Sequence, residues 1–242
     1  MASYDKAELL YEGKAKKVYS VTGNDELAWL EFKDSLTAYN AQKKGSFEEK
    51  GAVNTQITEI IFDHLKSCGV KTHWVETIDT NNIVVQKLDM IPLEVVVRNR
   101  IAGSLAKRFG KEEGGQLKEP LVEFYYKDDA LEDPFVSDEQ IETLELVKDP
   151  SVLPELKKQG LLVNETMRAL FAKVNIDLVD FKLEYGLNTA GEIVLADEIT
   201  PDSCRLWDMD SGERMDKDRF RRDLGKVEES YKEILRRLQE LK

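Results

Sequence analysis

Residues 179–205 read VDFKLEYGLNTAGEIVLADEITPDSCR. Alternating apolar residues flank the turn-forming NTAG segment, so the stretch predicts two antiparallel strands joined by a tight turn. A hairpin symmetric about that turn places Lys182 opposite Asp197 and Glu184 opposite Leu195. Because side chains alternate along a strand, Lys182, Glu184 and Asp197 would then share one face of the sheet.

The predicted face carries one ammonium and two carboxylates in cross-strand contact. Such carboxylates can hold a Mg²⁺ ion that in turn holds nucleotide phosphates. The competing interpretation is a solvated sheet face whose salt bridges add little to stability, and an isolated hairpin would favour it. Other segments of the chain favour the chemical interpretation.

Length and charge restrict the class of protein. A chain of 242 residues can bury one core, or one core and a smaller lobe. The net charge of −12 argues against a nucleic-acid binder and against docking on an anionic membrane, and no apolar run reaches the length of a membrane span. The two cysteines make no disulfide framework and the start of the chain lacks an apolar leader. We therefore expect a protein of the reducing cytoplasm.

The order of the predicted elements indicates the fold class. Strands dominate the first half, and the helices are grouped instead of alternating with strands. This order predicts an α+β fold with antiparallel pairing and not a doubly wound parallel sheet. From about residue 216 the apolar residues repeat every three to four positions, which predicts one amphipathic helix to the end of the chain.

The segment YEGKAKKVY at 11–19 places Lys14 and Lys16 on the same face of a strand, with Gly13 beside them. Two ammonium groups and an exposed backbone suit a polyphosphate. Neither a Walker A loop nor a Gly-x-Gly-x-x-Gly signature is present. An exposed basic strand edge that discourages aggregation explains the pattern equally well.

The segment VVQKLDM at 84–90 is an apolar strand that runs into an extended stretch at Lys87 and Leu88. Backbone groups of such a stretch can face a flat ring such as adenine. Taken alone, an ordinary strand end is the stronger interpretation.

Arg98, Arg100 and Ser104 lie where a predicted strand gives way to a helix. Arginine forks bind carboxylate or phosphate at two points, so the cluster is a candidate anion site. A surface ion pair with Glu94 is the alternative. Arg205, in the loop after the hairpin, is a second candidate for holding an anionic substrate. The polar segment 34–44 is too long for a simple turn and is a candidate binding loop or lid.

Four segments carry a resemblance to a known family. They are GKAK at 13–16, KLDMIPLEVVVRNRIAGS at 87–104, LVDFKLE at 178–184 and DEITPDSCRLWD at 197–208. Together they closely resemble the SAICAR synthetases, the phosphoribosylaminoimidazole-succinocarboxamide synthases, at the length of the single-function bacterial form. The two longer blocks are highly specific.

The resemblance implies an enzyme of de novo purine synthesis that joins L-aspartate to the carboxylate of carboxyaminoimidazole ribonucleotide (CAIR). ATP would be the co-substrate, Mg²⁺ the cofactor, and ADP and phosphate the by-products. It also implies an antiparallel β-rich N-terminal lobe at 1–86 and a mixed α+β lobe at 87–242 that holds the metal and ribonucleotide sites. A nucleotide cleft similar to that of protein kinases and ATP-grasp enzymes would separate the lobes of a homodimer.

The resemblance also implies roles by position. Lys14 and Lys16 would hold ATP phosphates, and Lys87 and Leu88 would border the adenine. The loop at 34–44 would close on substrate, although its YNA at 39–41 differs from the Asn-Gly or Asp-Gly pair of the family.

At the reaction centre, the resemblance makes Glu184 and Asp197 the Mg²⁺ ligands and puts Lys182 beside the transferring phosphoryl group. The residues that would bind the ribonucleotide through its phosphate or carboxylate are Arg98, Ser104 and Arg205.

Two other functions use the same residues. A small-molecule kinase would pass phosphate to a hydroxyl group and needs a base near the acceptor, for which Asp180 is the evident candidate. A nucleotide-binding module without chemistry would keep the lysines and the adenine strand but tolerate loss of Glu184 or Asp197.

Overall fold

Two antiparallel sheets carry the fold in the computed structural model, which describes residues 4–38 and 42–241. The strands of the first sheet are β1 (Lys6–Glu12), β2 (Lys16–Val21), β3 (Asn24–Phe32), β6 (Trp74–Thr77) and β7 (Asn82–Gln86). They lie in the order β1-β2-β3-β7-β6. Between β3 and β6, the predicted polar loop instead contains a short hairpin of β4 (Ser35–Ala38) and β5 (Lys43–Ser46).

The second sheet is larger and also antiparallel throughout. Its strands are β8 (Asp89–Arg100), β9 (Gln116–Tyr126), β10 (Phe135–Val136), β11 (Ile176–Leu187), β12 (Ile193–Ala196) and β13 (Cys204–Asp208). They lie in the order β10-β9-β8-β11-β12, and β13 also pairs with β11. The predicted α+β class with antiparallel pairing is confirmed.

Strand β11 is the central element, because two strands share one of its edges end to end. β12 pairs with its last residues, 184–187, while β13 pairs with its beginning, 176–181. The connection at 197–203 therefore passes over the middle of β11, where the backbone N–H of Lys182 donates to the carbonyl of Ser203 at 2.9 Å. This arrangement gathers the polar residues of the connection around Lys182.

The predicted register of the hairpin is wrong by one residue. Glu184 pairs with Ala196, not with Leu195, because Glu192 joins the turn and the backbone N–H of Asn188 donates to its carbonyl at 3.0 Å. A shift of one residue reverses which side chains share a face. Asp197 still reaches the Lys182 side of the sheet because it leaves the strand in a left-handed conformation, with φ of 61°.

Six helices occur in the described residues, and three of them contribute to the main apolar core. Helices α1, α4 and α6 pack on one another or on the sheet and bury the main apolar core with β8 and β11. The six are α1 (Lys50–Ser67), α2 (Gly103–Phe109), α3 (Asp138–Thr143), α4 (Leu153–Ala172), α5 (Asp218–Arg221) and α6 (Val227–Gln239).

The single helix predicted from about residue 216 is wrong. The chain forms the short α5 and the longer α6, and Asp223, Gly225 and Lys226 between them adopt positive φ values that a helix cannot contain. The amphipathic pattern is nevertheless used, since Tyr231, Ile234 and other apolar residues of α6 are buried in the main core. Among the described residues, no helix has the length and apolar character that crossing a membrane requires.

Candidate active site

A cavity of about 600 Å³ lies between the two sheets, a volume typical of small-molecule sites. Residues of the first sheet, such as Val18 and Val85, line it together with residues of the second, such as Glu184. Its lining combines an apolar set with a charged set that includes lysines and carboxylates. The apolar set is Ala15, Val18, Ala28, Leu30, Val85, Leu88, Met90 and Ala196.

Lys182 is the centre of the charged set. Its Nζ lies 2.6 Å from Glu184 Oε1, 3.2 Å from Asp197 Oδ2 and 3.3 Å from Glu94 Oε1. Lys127 donates a second hydrogen bond to Glu184. The structure thus brings together Lys182, Glu184 and Asp197 as the sequence predicts, although by a different route from the predicted register.

Asp197 joins this cluster to the first sheet. Lys16 on β2 donates to the Asp197 carboxylate and lies 3.3 Å from Glu198 Oε2. Burial raises the pKa of Asp197, but the charges of Lys16 and Lys182 outweigh burial and hold that pKa well below its ordinary value. The carboxylate is therefore ionised at neutral pH and available as a ligand for a cation.

Lys14 and Lys16 both line the cavity, on either side of the β1–β2 connection. The backbone N–H of Gly13 donates to the Lys16 carbonyl at 2.8 Å and closes that connection. The ammonium of Lys14 lies 2.7 Å from Asp129 Oδ1 on the segment that follows β9. Both lysines therefore reach across the cavity to carboxylates of the second sheet's connections.

Lys87 and Leu88 connect the sheets and line the same cavity. The Lys87 backbone N–H is bonded to the carbonyl of Glu26 at 2.7 Å, which fixes the path of the chain. Gly186 on β11 lets this segment lie close to the sheet, since a Cβ atom there would come within 2.7 Å of the Leu88 Cβ. The segment VVQKLDM therefore forms one wall of the cavity, beyond its role as the end of a strand.

A second cavity of about 390 Å³ adjoins the first, and Arg98, Ser104 and Arg205 line it. Arg98 is 2% exposed, so the alternative of a surface ion pair with Glu94 is wrong. Its guanidinium instead donates to Glu123 at 2.6 Å, with further bonds across the cavity wall. These go to Asp180 at 2.8 Å, Ser104 Oγ at 2.8 Å and the Tyr125 hydroxyl at 2.9 Å.

Asp180 links the two arginines, because its carboxylate also accepts from Arg205 Nη1 at 2.9 Å. Arg205 Nε donates to Asp218 at 3.0 Å. Gly103 has φ of 55°, and a Cβ atom there would lie 2.4 Å from Arg205 Nη2. Only glycine allows the arginine to lie flat against this turn, and the Ala-Gly-Ser step after β8 is explained by that contact.

The two cavities share one wall. Residues that line both include Lys182, Ser203 and Lys217, together with Glu94 and Asp202. A ligand in one cavity therefore lies beside a ligand in the other, with Lys182 between them. This arrangement suits transfer of a group from one bound molecule to another.

The donor set for a cation consists of two carboxylates. No cluster of three or more His, Cys, Asp or Glu side chains with metal-binding geometry occurs in residues 4–38 and 42–241. Mg²⁺ commonly takes one or two protein carboxylates and fills its other positions with water and substrate phosphates. Glu184 and Asp197, which both contact Lys182, fit a Mg²⁺ ion that binds together with a nucleotide.

Several cavity residues escaped the sequence analysis. Lys127 and Asp129 belong to a charged run that directly follows a predicted strand, and such a run is a recognisable loop signal. Lys217 and His73 gave no signal, because one resembles a solvated helix start and the other an ordinary packing residue. The predicted loop at 34–44 lines the cavities with Ser35, Thr37 and Ala38, while its YNA at 39–41 lies outside the described residues.

Known proteins share both this sequence and this fold. The sequence model of the SAICAR synthetase family matches residues 9–238. A phosphoribosylaminoimidazole-succinocarboxamide synthase of Campylobacter fetus subsp. fetus is 53% identical over 234 residues, which cover 97% of this chain and 99% of the relative.

Two solved structures are similar to this chain over nearly their whole length. The phosphoribosylaminoimidazole-succinocarboxamide synthase of Ehrlichia chaffeensis superposes with a TM-score of 0.92 at 41% identity, covering 96% of this chain and 98% of that one. A SAICAR synthetase in complex with ADP superposes with a TM-score of 0.90 at 46% identity, covering 96% and 97%. The chain belongs to the SAICAR synthetase family, the ATP-dependent ligases that join L-aspartate to the carboxylate of CAIR in purine biosynthesis.

Proposed function

We propose that ATP binds in the 600 Å³ cavity, that CAIR binds in the 390 Å³ cavity, and that the reaction takes place at their shared wall. The observation that carries this assignment is that Lys182 and Lys217 line both cavities. A phosphoryl group and a carboxylate can meet there without either ligand leaving its site. Positioning of this kind supplies much of the rate enhancement in phosphoryl transfer.

Charge and shape support the ATP assignment. Lys14 and Lys16 contact the phosphates, and Lys87 and Leu88 border the adenine at the apolar part of the lining. Both lysines already bind carboxylate oxygens across the cavity, so their reach suits phosphate oxygens at the same place. A related SAICAR synthetase forms a complex with ADP, which supports nucleotide binding by this chain.

Arginine geometry supports the CAIR assignment. Arg98, Ser104 and Arg205 bind the ribonucleotide through its phosphate or its carboxylate. Asp180 holds the two guanidinium groups in fixed orientations, so little conformational entropy is lost when an anion binds. An arginine fork held in this way recognises a planar or tetrahedral anion with geometric specificity.

The chemistry needs an activated carboxylate. A carboxylate oxygen of CAIR attacks the γ-phosphorus of ATP, the bond to the β–γ bridging oxygen breaks, and ADP leaves. The amine of L-aspartate then attacks the acyl phosphate, loses a proton, and expels inorganic phosphate to leave an amide. Lys182 lies where the negative charge passes from one cavity to the other, and fixed positive groups at such a place stabilise the transition state.

Glu184 and Asp197 would hold a Mg²⁺ ion at the shared wall. When bound, the ion would neutralise phosphate charge during the transfer. Lys16, Lys127 and Lys182 fix the orientation of the two carboxylates through their hydrogen bonds.

The kinase alternative loses its candidate base. Asp180 is 3% exposed and accepts hydrogen bonds from both Arg98 and Arg205, so it is not free to accept a proton from a hydroxyl group. The arrangement favours transfer to a carboxylate, which needs no base.

The decisive experiment measures ADP release from Mg-ATP and CAIR with and without L-aspartate, with the product identified by mass. The proposal requires ADP release that depends on aspartate and a succinocarboxamide product. ADP release that is indifferent to aspartate, with a stable phosphorylated product, would establish the kinase. ATP binding without turnover would leave a binding module.

The remaining assignments concern organisation. We propose that residues 1–86 form the ATP-binding lobe and 87–242 the lobe with the metal and ribonucleotide sites, and that the enzyme is a cytoplasmic homodimer. The separate first sheet supports the division, although α1 packs against α6 of the other lobe. Light scattering on purified protein gives the oligomeric state, and a monomeric mass at micromolar concentration would contradict the dimer.

A further inference from the structure

Lys217 lies at the shared wall of the two cavities, and its ammonium group has no hydrogen-bond partner among residues 4–38 and 42–241. Its side chain is 15% exposed and lines both cavities. Within residues 4–38 and 42–241, the only carboxylate within 4.0 Å of its Nζ is Asp202, whose Oδ1 lies 3.9 Å away. That distance is too long for a hydrogen bond.

The carboxylate of Asp202 makes its hydrogen bonds with other groups. Lys50 donates to Oδ2 at 2.5 Å, and Asn54 donates to the same oxygen at 3.2 Å. The Tyr231 hydroxyl donates to Oδ1 at 2.7 Å. Lys50 is fully buried and takes the closest position at Asp202, so in the described part of the chain Lys217 has the charge of Asp202 at 3.9 Å but no hydrogen-bonded carboxylate.

Two other lysines of the first cavity differ in this respect. Lys182 has three carboxylates within 3.3 Å, and Lys16 has two. Burial lowers the pKa of Lys217 from its ordinary value, although the charge of Asp202 opposes the shift. A poorly compensated cation is costly to keep in such a place unless a ligand brings the missing anion.

We propose that Lys217 contacts substrate, and that its ammonium group binds an anionic oxygen at the shared wall during the reaction. This inference rests on the proposed function. The oxygen belongs either to the carboxylate of CAIR or to the phosphoryl group in transfer, since both reach this wall. Lys182, tied to three carboxylates, orients the cation-binding groups, while Lys217 supplies the positive charge that the substrates use.

The loop 200–203 positions Lys217. The backbone N–H of Lys217 donates to the carbonyl of Pro201 at 3.1 Å. Asp202, next in the loop, is bound to α1 through Lys50 and to α6 through Tyr231. The two helices therefore hold the backbone from which the Lys217 side chain enters the cavity.

The test compares Lys217→Gln and Lys217→Arg in the full-length enzyme, with Lys158→Gln as the matched control. Lys158 is 78% exposed on α4, remote from either cavity lining. We expect Lys217→Gln to lower kcat/KM for CAIR by about 100-fold, the usual effect of removing one charge-stabilising donor. Lys217→Arg keeps the charge and should recover about a tenth or more of the lost rate, with Lys158→Gln unchanged.

Calorimetric titration of each variant with ADP and with CAIR identifies the oxygen. Weaker CAIR binding assigns the contact to the substrate carboxylate, and weaker ADP binding assigns it to the phosphates. A fall in kcat with both affinities unchanged assigns it to the phosphoryl group in transfer. Each of these results supports the contact.

Two results would overturn the proposed contact between Lys217 and substrate. Lys217→Gln with wild-type kcat/KM would show that no substrate oxygen depends on this charge. Unfolding of Lys217→Gln in a thermal melt would show a structural residue, because Lys50 still neutralises Asp202 in that variant. If wild-type enzyme shows no aspartate-dependent ADP release, the proposed function itself has failed, and the two failures are thereby distinguished.

Discussion

Lys16 on β2 donates a hydrogen bond to the carboxylate of Asp197, which follows β12. The pair joins the two sheets across the ATP cavity, and both side chains are about 15% exposed. In the proposed reaction, Lys16 binds phosphate and Asp197 binds the metal ion. The same electrostatic contact therefore fixes the distance between the two halves of the site.

Replacing Lys16 by methionine should weaken nucleotide binding and folding together. The variant leaves buried Asp197 and Glu198 with less compensating charge, and breaking such a pair costs about 3 kcal/mol. We expect the dissociation constant for ADP, measured by calorimetry, to rise by at least about tenfold because a charge-assisted phosphate contact is lost. Lys17→Met is the control, since Lys17 lies 3.8 Å from Glu31 on the other face of the same strand. Equal ADP affinities in the two variants would contradict the assignment.

Replacing Glu184 by glutamine should abolish most turnover with the fold intact. Glutamine keeps the size of the side chain but removes the charge that a Mg²⁺ ion requires. We expect kcat to fall by about 100-fold or more and the Mg²⁺ concentration at half-maximal rate to rise. Glu192→Gln, at a half-exposed ion pair with Lys71, should change neither value. If Glu184→Gln shows the same Mg²⁺ dependence as the wild type, Glu184 is not a ligand of the metal ion.

The hairpin at 179–205 shows which structural features a local sequence pattern predicts and which it does not. Alternation and turn residues predict both strands, and the charged residues do meet around Lys182. The register is not predictable from the same pattern, because inclusion of Glu192 in the turn depends on a hydrogen bond that several turn types could replace. The left-handed conformation of Asp197 then corrects the position of its carboxylate, and no local sequence signal predicts that correction.

Contacts between distant segments are the part that the sequence could not provide. Arg98 and Arg205 are recognisable as candidate anion-binding residues, but their common partner Asp180 lies on another strand, 82 positions after Arg98 and 25 before Arg205. Lys217 and Asp202 meet at the cavity only because α1 and α6 pack together. A pattern along the chain reports which face a residue occupies, whereas pairing between strands and helices is decided by the whole core.

Replacing Asp180 by asparagine tests the arginine arrangement. The amide cannot neutralise the guanidinium groups of buried Arg98 and partly buried Arg205, so we expect the free energy of unfolding to fall by about 3 kcal/mol and the KM for CAIR to rise by about tenfold. Asp177→Asn on the same strand is the control. Asp177 pairs with the partly exposed Arg100, and its loss should cost less than about 1 kcal/mol. Urea denaturation and steady-state kinetics provide both comparisons, and similar costs in the two variants would show that Asp180 has no special role.

Replacing Tyr231 by phenylalanine tests the connection from α6 to the loop 200–203. The hydroxyl donates to Asp202, and loss of a buried hydrogen bond to a charged group should lower the free energy of unfolding by about 2 kcal/mol. Because Asp202 helps to place Lys217, kcat should fall while ADP affinity is kept. Tyr19→Phe is the control, since its hydroxyl makes only a 3.3 Å contact with Glu31. An unchanged kcat in Tyr231→Phe would show that the contact from α6 to Asp202 does not affect turnover.

Asp216 should make folding stability depend on pH between about 4 and 7. Its carboxyl is fully buried and accepts the backbone N–H groups of Leu206 and Asp218. Burial, followed by repulsion from Asp218, raises its pKa from 3.8 to about 7, although Arg205 opposes the shift.

Between pH 4 and 7 the folded state holds a proton on Asp216 that the unfolded chain has lost. The contribution of Asp216 to stability is therefore complete below about pH 4 and decreases as the pH rises, by at most about 1.4 kcal/mol per pH unit, until it levels off above about pH 7. Asp216→Asn cannot titrate, so the stability of this variant minus that of the wild type should increase over that interval. Chemical denaturation at several pH values measures the difference. A constant difference from pH 4 to 7 would show that Asp216 titrates near its ordinary value.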